Sequence, residues 1–110
     1  MLAVRGAMQA RRGRAELAWR RAHECVLAGF ARPSGARAEP LRLCANSLRQ
    51  AAELALELPE RGSRQLEFDA ALRELGAGLE SGDEPRVPPA LDRAARAADA
   101  LGWRPANGVR

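Results

Sequence analysis

Residues 40–58, PLRLCANSLRQAAELALEL, decide the fold. Leu41, Cys44, Leu48, Ala51, Ala55 and Leu58 recur with spacings of 3, 4, 3, 4 and 3. At ~100° per residue those positions form one face of a helix. The seam covers fewer than three heptads, too few for a coiled coil. Leu43 and Leu54 widen the apolar sector on one side and Leu56 on the other, beyond half the wheel. A helix that apolar is either central in a bundle or covered by a second chain. Pro40 suits its first turn, where a missing N–H is no loss, and Pro59 ends it.

The flanking segments repeat the helical reading. Over residues 3–31 one face collects Val4, Ala7, Met8, Ala15, Ala18, Trp19, Ala22, Cys25, Val26 and Phe30, with Arg11 intruding. Arg20, Glu24 and Leu27 lie opposite, and Glu16, Arg20 and Glu24 stand four apart, which supports a helix mildly. Gly6 and Gly13 each cost about 1 kcal/mol of helix propensity, so the first part is expected to fray or bend. Pro33, Ser34 and Gly35 mark a loop over residues 32–39. A third helix over 64–79, with Ser63 as N-cap, would bury Phe68, Ala71, Leu72, Leu75 and Leu79 and be unwound by Gly76, Gly78 and Gly82. Residues 80–89 hold three prolines and read as a stiff polar linker. A fourth helix over 89–101 turns Leu91, Ala94, Ala95, Ala98 and Leu101 inward and Asp92, Arg93, Arg96 and Asp99 outward. Gly102 suits its C-terminal cap, and Trp103 is expected to fold back onto the bundle.

Composition agrees. Among the 110 residues are 24 Ala, 15 Leu and 18 Arg, with no Ile, Thr, Tyr or Lys and four Val. Strong helix formers dominate and strand formers are scarce, which leaves almost no room for a sheet. The expectation is all-α: a small antiparallel bundle of about four helices, one domain over residues 1–103 and a flexible tail over 104–110. The core should be thin, because much of the apolar content is Ala and only Trp19, Phe30, Phe68 and Trp103 are large aromatics.

Charge is segregated. Residues 1–37 carry a net +6, residues 38–84 a net −5 and residues 85–110 a net +3. The bland reading is a basic helix folded against an acidic middle. The acid-free, Arg-containing start has a faint likeness to a transit peptide, but its apolar stripe runs on into Trp19, so a cytoplasmic helix is expected. No apolar run approaches ~18 residues, so no membrane partner is expected.

Few residues suggest chemistry. His23, the sole histidine, sits at the edge of an apolar face and reads as a packed ring; a general base would need a pocket and a positioned partner. His23, Cys25 and Cys44 lack zinc-ligand spacing, and no metal or cofactor is expected. Cys25 and Cys44 fall at similar heights in a hairpin turning near Gly35. Two reduced, buried thiols are expected, with a disulfide as the alternative in an oxidising compartment. Ser47 has no base nearby, no nucleotide or hydrolase motif is present, and Asp83 and Glu84 lie in the polar linker.

The residues that stand out for binding are Arg11, Arg12, Arg14, Arg20 and Arg21, together with Leu43 and Leu54. They point to a non-catalytic helical protein–protein interaction module, such as an adaptor, small subunit or chaperone-like binder, whose partner is another protein or a second copy in a homodimer. The alternative is a nucleic-acid-binding protein that uses the first helix on phosphates. Against it, the arginines spread around the wheel and no aromatics interleave them for base stacking.

Overall fold

The computed structural model describes residues 2–57 and 62–103, with side chains from residue 10 onward. They form four helices and, among the described residues, no strand: α1 Leu2–Phe30, α2 Ala38–Leu56, α3 Ser63–Ser81 and α4 Val87–Ala100. Chain neighbours pack on one another, so α2 meets both α1 and α3, and α3 also meets α4. Their order is antiparallel: Cys25 faces Cys44 and Gly29 faces Leu41. Arg49 reaches Glu80, and Glu74 pairs with Arg93.

Where side chains are described, the expected inner faces are largely the buried ones; those of Val4, Ala7 and Met8 lie outside that range. Leu41, Cys44, Leu48, Ala51 and Ala55 of α2 join Ala15, Trp19, Ala22 and Val26 of α1 in one core with Phe68, Leu72, Leu75, Leu91 and Ala94. Its centre is aromatic. The Phe68 ring takes Trp19 edge-on at 5.5 Å and Trp103 edge-on at 5.2 Å, a geometry that aligns ring edges with ring faces. Trp103 thus folds back as expected, after Gly102 turns the chain at φ +88°.

Several boundaries differ from expectation. The α1 helix is continuous through Gly6 and Gly13. Gly62, not Ser63, precedes α3 as its cap residue. Gly76 and Gly78 do not unwind α3, which runs to Ser81 and stops at Gly82 with φ +74°. Neighbours explain this: a Cβ on Gly76 would sit 3.5 Å from Leu48, and one on Gly78 would sit 3.2 Å from Val87. Tertiary packing there outweighs the propensity deficit. The polar linker is correspondingly short. After a turn of 3-10 helix at Glu84–Arg86, α4 already begins at Val87, which is buried, and Pro88 and Pro89 occupy its first turn. Leu58, Pro59 and the tail over 104–110 lie outside the described residues.

The cysteines require a correction. They are not reduced thiols: Cys25 and Cys44 form a disulfide, with Cα atoms 5.7 Å apart, clasping α1 to α2. Helix spacing could place them at one height; the close approach of α1 and α2, permitted by Gly29 against Leu41, brings them into bonding range.

At the loop end Arg37 lies 5.0 Å over the Phe30 ring, donates Nε–H to the Arg32 carbonyl at 2.8 Å and stands 3.9 Å from Glu84. It connects the α1–α2 loop to the turn before α4. No helix among the described residues is long and apolar enough to cross a membrane.

Candidate interaction face

The α1–α2 register sets which side chains share a surface. Pairing of Cys25 with Cys44 and of Gly29 with Leu41 brings Leu56, the last residue of α2, level with about residue 13 of α1. The first eleven or so residues of α1, roughly 17 Å of helix, therefore run past the end of α2.

The predicted arginines separate into three groups. Arg11 and Arg12 are exposed near the start of the overhang-to-bundle transition. Arg20 is half-exposed and donates to Glu16 at 2.8 Å. Arg14 and Arg21 are exposed and have no ion-pair partner among the described residues. On α1 they share a sector of ~60° with Leu17 and Ala28. On α2 a matching sector of ~60° holds Leu43, Ser47, Gln50 and Leu54.

Both sectors face away from α3. On α1 the opposite side carries Trp19, which meets Phe68. On α2 the opposite side carries the buried Ala45. The hairpin thus presents one outer face with Leu43 at 57% and Leu17 at 45% exposure, Leu54 half-buried between them and the core, and the guanidiniums of Arg14 and Arg21 beside them. Of the predicted residues, Arg14, Arg21, Leu43 and Leu54 come together here, while Arg11, Arg12 and Arg20 do not join them.

Leu17 and Glu57 escaped the sequence reading. Leu17 was masked by the mixed outer face of the first helix. Glu57, exposed at the end of α2 and without an ion-pair partner among the described residues, gains meaning only from the register that sets it near the height of Arg14.

His23 is buried against Trp19, with ring centroids 5.3 Å apart. Its Nδ1 has no hydrogen-bond partner among the described residues. Burial pushes its pKa below the ordinary 6.5, an effect that the nearby Glu24 carboxylate partly opposes. The ring therefore packs as expected, deeper than the edge position read from the wheel. Gln65 and Asp69 of α3 are buried polar residues as well.

A cleft of about 320 Å³ lies between the start of α2, the end of α3 and Val87, lined by Leu41, Leu79, Glu39, Arg42, Glu80 and Glu84 among others. Each of its carboxylates already faces an arginine: Glu39 with Arg42 at 3.2 Å, Glu80 with Arg49 at 3.0 Å and Glu84 with Arg37 at 3.9 Å. Among the described residues, no three His, Cys, Asp or Glu side chains gather as a metal site would require. Comparison with protein families, with curated proteins and with solved structures gives no match for the chain.

Proposed function

We propose that the chain is a non-catalytic helical interaction module that engages a protein partner through the outer face of the α1–α2 hairpin. The observation that carries this reading is the exposure of Leu43 and Leu17 on one side of the hairpin, flanked by Arg14 and Arg21, which have no ion-pair partner among the described residues. Apolar side chains grouped on a surface and edged by charge are the usual makings of a protein contact. The burial of His23, the sole histidine, supports a binding role over an acid–base one. The test is affinity capture from the native host with the wild type and with Leu43→Glu. A protein held by the first and lost by the second supports the reading; identical captured sets reject it.

A second reading rests on the α1 overhang. Arg11 and Arg12 stand exposed where α2 has ended, Arg14 is exposed beside its last turn, and no acidic residue precedes Glu16. Such a helix end could pair with nucleic-acid phosphates, and binding would then weaken steeply with salt. Fluorescence anisotropy with short duplex DNA and RNA checks it, and Arg11, Arg12 and Arg14 all replaced by Ala should abolish the signal.

For location, the disulfide supports an oxidising compartment over the cytoplasmic placement read from the sequence, because cytosolic thiols are held reduced. Thiol trapping of the protein taken directly from its host distinguishes the two.

A further inference from the structure

We infer that the partner on the α1–α2 face is a second copy of this chain, related by a two-fold axis parallel to the helices; this rests on the interaction reading above. Such an axis lays α1 of each copy over α2 of the other without changing height. The register then brings three pairings together, each repeated by symmetry. Arg14 comes within about 3 Å of the height of Glu57 of the second copy, taking ~1.5 Å per residue. Leu17 falls on Leu54 with a similar offset, and Leu43 falls on Ala28, whose small side chain leaves room for it.

Charge selects this arrangement. Arg14 and Glu57 are both exposed, and neither has an ion-pair partner among the described residues. The other in-plane axis, perpendicular to the helices, would set α1 on α1 and Arg14 and Arg21 against their own kind. Like charges face to face are disfavoured. The area is also adequate. A hairpin ~28 Å long and ~20 Å wide offers roughly 550 Å² per copy, so the pair would bury about 1,100 Å², near the lower bound for a specific interface. Interfaces of this size are weak or transient ones, so the dimer should dissociate on dilution.

The experiment is light scattering after size exclusion, with sedimentation equilibrium from about 1 to 500 µM to bracket that dissociation. The wild type should pass from monomer to dimer. Arg14→Glu and Glu57→Arg should each weaken the dimer about tenfold. The double variant Arg14→Glu/Glu57→Arg should restore it to within about threefold, because the reciprocal pair is re-formed with reversed sign. Leu43→Glu should leave only monomer, with circular dichroism confirming its helices. The charge variants lie at exposed positions and keep the test valid if Leu43→Glu unfolds. A wild type that stays monomeric at 500 µM overturns the homodimer, as does a dimer that none of these substitutions weakens or a double variant as weak as the singles. A monomer that still loses a captured host protein on Leu43→Glu rejects only the second copy; a monomer whose captured set is unchanged rejects the interaction reading too.

Discussion

The Trp19 indole of α1 meets the Phe68 ring of α3 edge-on, with centroids 5.5 Å apart and planes at 86°. The contact ties the first helical hairpin to the second. Alanine supplies much of the surrounding core, so these large rings carry a large share of its apolar contact. Phe68→Ala should therefore cost about 4 kcal/mol, a large part of the roughly 5–15 kcal/mol that stabilises a domain of this kind. Urea unfolding measures it. A loss below about 1 kcal/mol would mean that the rings are not the principal tie.

Gly29 and Gly13 should respond oppositely to Ala. A Cβ at Gly29 would lie 2.5 Å from Leu41 Cδ2 and 3.1 Å from its Cγ. Leu41 is buried, and the disulfide restrains the two helices from moving apart. Overpacking of about 1–3 kcal/mol then exceeds the ~1 kcal/mol gained in helix propensity. At Gly13 nothing lies within 4 Å, and Gly13→Ala should stabilise by about 0.5–1 kcal/mol. Thermal melting of both variants checks the difference in sign.

Removing the Cys25–Cys44 bond should lower stability by about 3 kcal/mol, the effect of closing a loop near this length in the unfolded chain. That corresponds to a fall of roughly 10–15 °C in Tm. Melting with and without a dithiol reductant measures it, and Cys25→Ala/Cys44→Ala should melt near the reduced protein and ignore the reductant.

Stability should decline with acid before the carboxylates titrate. The folded pKa of His23 lies below its ordinary 6.5 because the ring is desolvated. The unfolded chain therefore binds the proton more readily, and stability rises with pH wherever that holds. The His23 contribution is complete above 6.5 and is lost progressively as pH falls below that value. Urea midpoints at about pH 7.5 and 5.5 bracket this window. His23→Phe should remove most of the difference; an equal slope in wild type and variant would assign it elsewhere.

The inner faces of all four helices were legible because each depends on a period within its own segment. Leu41, Leu48, Phe68, Leu75 and Ala94 lie where that period puts them. Gly76, Gly78 and Val87 were misread for a different reason. Local propensity counts two glycines as a stop and a proline-rich stretch as a linker, whereas a neighbouring helix makes one a close approach and the other a buried helix start. The candidate face was half legible. Leu43 and Leu54 stood apart on one wheel, but their grouping with Arg14 and Arg21 requires the register of two helices.

Residue order along the chain was enough to establish an all-α protein, its four helical segments and the stripe each one buries, since helix period and turn chemistry are properties of neighbours in sequence. Three matters were decided only when the helices met: the bonded state of Cys25 and Cys44, the depth of His23, and which arginines stand beside exposed leucines. Each turns on the distance and sliding offset between two cylinders, and no pattern confined to one cylinder contains that offset.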